Sequence, residues 1–313
     1  MTEAVKVRAF WVIIAIEAVL FSVLNWHAQA MTGLLPYYED FARIIRGGFD
    51  PSLGVRGTPA FPMWGYGWIM LFLRSKAAIV VLQQLLAMVA VWFAFRALRR
   101  NGLEAKRKSV LLGILLIASP TWFAHHSVLW PNSIAVSLFV ISVALMVLAQ
   151  AKESWKLMTA SGLVFGLLLN FRSDVLLFPL AAAVVAILVS ESRSRSLPLV
   201  APFLASAYLM LLPWALYTHR ATGHYLTSST NGGHFFFVGL GNLPGNKWGI
   251  VPDDGDPVMH GLLKEHFGSP TPPSVSYEAD LFLKKEFSKR VKEDPGEYIR
   301  KIAYTTKSML TKG

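Results

Sequence analysis

The sequence predicts an all-α polytopic membrane fold, and three observations carry the prediction. Hydrophobic residues make up 54% of the 313-residue chain and charged residues 16%, and the mean hydropathy is +0.45. That is too apolar for a soluble domain of this length. Several apolar stretches approach the roughly 20 residues with which a helix crosses a bilayer. The 30 lysines and arginines leave a net charge of +11. They fall mostly between the apolar stretches, where basic residues set membrane orientation, so no nucleic-acid partner is expected. With no cysteine in the chain, disulfides, thiolate metal sites and thiol nucleophiles are excluded.

In chain order, about seven spans are expected near 9–28, 77–97, 109–127, 132–150, 156–171, 174–190 and 197–217. The first lacks a small-residue cleavage site and is followed by amphipathic sequence, so it reads as a retained anchor. The segment 61–73, "FPMWGYGWIMLFL", is short, aromatic and broken by Pro and Gly, which suits a helix lying at the interface. Charge supports leaving it out of the count. If it stays on the outer side, Lys6, Arg8, Arg96, Arg99, Arg100, Lys106, Arg107, Lys108, Lys152, Lys156, Arg193 and Arg195 share one face. If it crosses, the strongest basic loop, "FRALRRNGLEAKRK", falls outside. The positive-inside rule therefore predicts seven crossings with the N-terminus in the cytoplasm.

This topology gives a membrane module, 1–217, and an outer-face tail, 218–313. Also on the outer face are the amphipathic first loop, 29–76, and two short turns, His125–Asn132 and Asn170–Asp174. The tail carries turn signals in "DDGDP" and "GSPTPP", then helical patterning from Tyr277 broken at Pro295.

Four groups of outer-face residues are candidates for chemistry. In the first loop, Tyr38, Ala42 and Ile45 share one face of a short helix, with Glu39, Asp40, Arg43 and Arg46 on its flanks. A carboxylate there either faces water or takes a proton from an acceptor hydroxyl or holds a divalent cation. His125, His126 and Asn132 sit at the outer ends of two helices beside Trp130. Adjacent histidines point in different directions and make a poor pair of metal ligands. They read either as polar residues at the water line or as hydrogen-bond partners of a sugar hydroxyl or phosphate. Arg172 and Asp174 lie between two apolar helices. They form either a local ion pair or a site in which the forked guanidinium holds a phosphate. The run "LTSSTNGGHFFFVGLGN" offers Asn231 among Ser, Thr and Gly, shortly after Arg220. Its glycines allow a turn or a close backbone approach. The chain has no GxxxxGK[ST] loop and no GxGxxG after a strand, so a cytosolic nucleotide site is not supported.

The run "PWALYTHRATGHYLTSSTNGGHFFFVGLGN" resembles the stretch after the seventh span of bacterial membrane glycosyltransferases of the C-type fold, the group of the protein O-mannosyltransferases and aminoarabinose transferases. The matching positions are Pro213, Trp214, Arg220, Gly223, Ser229, Thr230, Asn231, Gly233, Gly241 and Asn242. Tyr38, Ala42 and Gly48 of the first loop are similar to the family's pattern, as are "PMWGYGWIMLF", "ASPTWF", "GLVFGLLLNFRSD" and "KEDPGEYIRK". The resemblance runs through nearly the whole chain in order.

The resemblance implies a bacterial inner-membrane enzyme with its active site facing the periplasm. Its donor would be a polyprenyl-phosphate-linked sugar, its acceptor a lipid, glycan or protein, and membrane lipids its surroundings. The expected roles are Asp40 as general base with Glu39 in reserve, Arg172 and Arg220 on the donor phosphate, and His125, His126, Asn132, Asp174 and Asn231 lining the cavity. A divalent cation, Mg or Mn, is the one cofactor left open. The sequence also departs from the family. Positions 34 and 35 are leucines where an acid is usual, Asn132 replaces a second acid, and Tyr217 stands in place of an Arg. Many relatives continue with further crossings, so the chain reads as a short or truncated member.

Two other classes stay open. One is a non-catalytic scaffold or lipid-glycan binding protein that kept the fold. The other is a transporter or O-antigen-polymerase-like protein, although no pair of Gly/Pro-interrupted helices marks related halves.

Overall fold

The computed structural model describes residues 3–25, 38–39, 41–42, 60–61, 63–100, 121–188, 190 and 193–312, and among these there are helices and turns but no strand. The chain forms two compact units. The first is Met1–Gly48 with Met63–Leu216, and the second is Phe49–Pro62 with Tyr217–Gly313.

In the first unit the helices are α1 (Glu3–Leu24), α2 (Gly65–Phe72), α3 (Lys76–Arg100), α4 (Thr121–His126), α5 (Pro131–Ala151), α6 (Trp155–Leu169), α7 (Phe178–Leu188) and α8 (Arg193–Leu209). α9 (Leu212–Thr222) carries the chain into the second unit. α5 packs between α3 and α6, α6 packs on α8, and α1 packs on α4. Pro131 opens α5, where its missing N–H costs nothing, and the Ser154 hydroxyl caps α6 by accepting from the Leu157 N–H.

Small residues set the helix spacing, as expected where lipid removes the hydrophobic drive between helices. In α6, Gly162 and Gly166 form a GxxxG step. A Cβ at Gly162 would lie 2.3 Å from the Phe203 carbonyl oxygen of α8, and one at Gly166 2.4 Å from that of Ala207. Buried hydroxyls bridge α5 and α6. Ser142 Oγ donates to the Ser161 carbonyl at 2.9 Å, and Ser161 Oγ donates back to that of Ser142 at 2.7 Å. Many large side chains face outward instead, among them Val19, Val23, Val185, Leu188 and Leu209. A water-facing bundle would not expose them this way, whereas lipid solvates them.

Three helices, Lys76–Leu98, Pro131–Ala151 and Ser196–Thr222, are long and apolar enough to cross a membrane, and Trp11–Leu24, Trp155–Leu169 and Ser173–Leu188 are shorter apolar helices. The expected span 174–190 is thus a short helix, α7, preceded by a 3-10 turn at Ser173–Val175. Pro179 sits in the first turn of α7, where its missing N–H is tolerated. The expected span 109–127 lies mostly outside the described residues, which reach only its end, α4. Segment 61–73 contains α2, which at eight residues is too short to cross.

The second unit is a folded helical body. It contains α10 (Gly232–Gly239), α11 (Pro257–Phe267), α12 (Tyr277–Glu293) and α13 (Pro295–Lys312). Its core joins Phe237, Val238, Leu240, Ile250, Met259, Leu263, Ala279 and Leu283. Asp256 caps α11 by accepting from the Met259 N–H at 2.6 Å, and Ser276 caps α12 by accepting from that of Ala279 at 3.3 Å. Pro295 separates α12 from α13, as its missing N–H requires.

Candidate functional site

The polar residues of the first unit gather where α4 meets α5 and α6 meets α7. Arg172 follows α6 in extended backbone, which aims its side chain toward the start of α5. Its Nε donates to Asp174 Oδ1 at 2.7 Å and its Nη2 to Asp174 Oδ2, while its Nη1 donates to Asn132 Oδ1. This is a bidentate fork on Asp174 with a third bond to Asn132, so three contacts fix the guanidinium. The Asp174 hydrogen bonds hold the Arg172 pKa above its ordinary value. Burial pushes the Tyr38 phenol well above its ordinary pKa, so it keeps its proton. Arg172 and Asp174 remain 37% and 58% exposed at the side chain, and they can therefore be reached.

A scaffold of buried polar and aromatic groups supports this cluster. The Tyr38 ring meets that of Tyr66 edge-on at 5.3 Å, and Tyr66 Oη donates to Gln83 Oε1 at 3.0 Å. Gln83 in turn donates to the carbonyls of His126 and Val128 at 2.8 and 2.7 Å, fixing the α4–α5 turn. Asn170, just before Arg172, accepts from Trp64 Nε1 at 2.8 Å and donates to the carbonyls of Gly166 and Met210. Its own carbonyl accepts from the Gly65 N–H at 3.0 Å. A Cβ at Gly65 would stand 2.6 Å from that oxygen, so only glycine allows the approach.

The expected site residues distribute as follows. Asn132, Arg172 and Asp174 come together. Glu39 is exposed and follows Tyr38 on a short helical segment, while Asp40 lies outside the described residues. His125 is exposed, with its ring 6.1 Å from that of Trp130. His126 is fully buried and has both ring nitrogens engaged, Nδ1 with the Trp122 carbonyl at 2.6 Å and Nε2 with Ser137 Oγ at 2.8 Å. Its imidazole therefore anchors α4 to α5. Arg220 and Asn231 belong to the second unit, where Arg220 is exposed on α9 and Asn231 precedes α10. Gln83, Asn170 and Tyr66 were not among the expected residues. The signal for Gln83 was a pair of glutamines inside an apolar helix, which membrane burial makes costly unless both are bonded.

The Ser-Thr-Asn-Gly run turns inward in the second unit. Thr230 N–H donates to the Ala60 carbonyl at 3.1 Å, and its hydroxyl donates to that of Val275 at 2.7 Å. Gly233 N–H donates to Asp280 Oδ1 at 2.6 Å, and a Cβ there would stand 2.2 Å from the Asp280 carbonyl oxygen. The close approach that its glycine permits is to the backbone of α12.

Among the described residues no three His, Asp or Glu side chains converge on a point that could hold a metal ion. The acid of the Arg172 cluster, Asp174, has both oxygens on a guanidinium. That donor set does not suit Mg or Mn, which need several free oxygens.

No curated protein and no solved structure matches the chain. A protein family does, the one described as dolichyl-phosphate-mannose-protein mannosyltransferase, over residues 58–217. That stretch holds Asn132, Arg172 and Asp174 and, of the scaffold beneath them, Trp64, Gly65, Tyr66, Gln83, His126 and Asn170. It spans just over half of the chain, and the chain belongs to this family of membrane glycosyltransferases.

Proposed function

We propose that this protein transfers a sugar from a polyprenyl-phosphate carrier to a hydroxyl of a lipid, glycan or protein acceptor at the outer face of a bacterial inner membrane. The observation that carries the reading is the fixed Arg172 fork, which lies within the stretch that belongs to the family. An arginine has five N–H donors, and Arg172 uses three of them on Asp174 and Asn132. Two remain to meet the oxygens of a phosphate.

In the proposed displacement, the acceptor oxygen forms a bond to the anomeric carbon as the bond from that carbon to the phosphate oxygen breaks. The electron pair leaves with polyprenyl phosphate, whose growing charge the Arg172 donors stabilise. The acceptor proton passes to a carboxylate of the first loop, Asp40, with Glu39 in reserve. His125 is assigned to polar contacts with the substrates. His126 positions the α4–α5 turn through its two internal bonds.

A second reading has an observation of its own. Leucines at positions 34 and 35 and Asn132 replace acids usual in this type of enzyme, which favours a diverged, non-catalytic member that binds lipid-linked glycans. Purified protein in lipid nanodiscs, given polyprenyl-phosphate sugars and candidate acceptors, separates the two. Release of polyprenyl phosphate that Asp40→Asn abolishes supports the enzyme and its base. Release that survives both Asp40→Asn and Glu39→Gln would overturn the base assignment, and binding without any release would favour the second reading.

A further inference from the structure

Helix α13 is built to lie on a membrane. Its first turn is fastened to the second unit: Glu297 is buried and accepts from the Lys247 N–H at 3.1 Å, and the Tyr298 ring meets that of Phe287 edge-on at 5.7 Å. Beyond that turn the helix carries a bare apolar stripe. Ile299, Ile302, Met309 and Leu310 are 66%, 46%, 73% and 81% exposed. At about 100° per residue they fall within one arc, with Ala303 and Thr306 between them. The stripe runs for about 16 Å along the axis, at 1.5 Å per residue. Tyr304 lies on the opposite side of the helix.

Basic residues border the stripe on both sides. Arg300 and Lys307 flank one edge and are exposed, and Lys301 flanks the other with its ammonium 5.8 Å over the Tyr298 ring. Glu297 is the one acid in α13, and it is spent inside the unit on Lys247 and Arg300. We infer that α13 is an interfacial helix whose apolar stripe enters an anionic lipid leaflet, with Arg300, Lys301 and Lys307 on the phosphate headgroups. An exposed stripe of this size calls for a partner. The charge pattern selects lipid, because long basic stems cover the boundary between acyl chains and headgroups while their charges reach the phosphates. A second copy of the helix would bring two basic borders together with no free acid to pair them, which opposes association. The inference rests on the second unit alone and does not depend on the proposed transfer reaction.

The test uses the absence of cysteine in the chain. Single cysteines at Ile302→Cys, Met309→Cys, Leu310→Cys and Tyr304→Cys carry a nitroxide in the full-length protein. The protein is reconstituted in vesicles of phosphatidylcholine with phosphatidylglycerol, or of phosphatidylcholine alone. In the anionic vesicles, oxygen should relax the labels at 302, 309 and 310 several-fold more than a water-soluble nickel chelate does, with the order reversed at 304. Phosphatidylcholine alone, or Lys301→Glu with Lys307→Glu, should shrink that difference. Equal access of the nickel chelate to all four sites in anionic vesicles would overturn the inference. So would shielding of the stripe from both reagents, which marks a protein partner, or an immersion depth that ignores lipid charge.

Discussion

Replacing Arg172 with lysine removes the fork and keeps the charge, which makes it the sharpest probe of the proposed donor site. Three guanidinium N–H groups are committed to Asp174 and Asn132, leaving two for a phosphate. A hydrogen bond to a charged group is worth about 1.5–3 kcal/mol. The Arg172 side chain is 37% exposed, so solvent screening halves that to about 1 kcal/mol for each bond. Losing both costs about 2 kcal/mol, or roughly thirtyfold in kcat/KM. Arg172→Gln also removes the charge and should cost on the order of a hundredfold. Asn132→Ala leaves the Asp174 fork intact and frees one edge, for about 1 kcal/mol and roughly fivefold. The assay is release of polyprenyl phosphate at low donor concentration, with each variant first matched to the parent in thermal unfolding. If Arg172→Lys stays within about threefold of the parent, the phosphate role is refuted and the Arg172–Asp174 pair is only a turn-fixing ion pair.

Three further outcomes test the packing of the two units, each by itself. Gly166→Val would push a side chain into the Ala207 carbonyl, 2.4 Å from where its Cβ must sit. It should destabilise the protein in detergent by about 1–3 kcal/mol, read as a lower unfolding temperature, whereas lipid-facing Leu163→Val should leave that temperature nearly unchanged. Asp256→Ala removes the cap of α11 and the acceptor of the Val251 N–H, and should cost about 1–2 kcal/mol, seen as faster hydrogen exchange in α11. The third concerns Asp294, whose carboxyl is held below its ordinary pKa chiefly by its hydrogen bond from Lys247. A lowered folded-state pKa contributes stability above the unfolded carboxylate value and loses it as pH falls through the folded one. Acid unfolding of the second unit should therefore begin at higher pH in Lys247→Gln, and coincident acid limbs would count against the pair.

What sequence alone determines here is local. Apolar composition demanded helices, because a chain in lipid must satisfy its backbone internally. Pro295 marked a break, because the missing proline N–H acts within a turn. The Arg172–Asp174 pair was legible for the same reason, being two residues apart. The tertiary structure decided what meets across long separations. Asn132 reaches Arg172 over 40 residues, and Gly233 reaches Asp280 over 47. His126 looked like a cavity residue at the end of a helix, yet α5 turns it inward onto Ser137. The Ser-Thr-Asn-Gly run was expected to turn or let the backbone approach closely, and its hydrogen bonds tie it to Val275 and Asp280. Periodicity tells which face of a helix is apolar, but helix packing chooses which polar groups that face brings together.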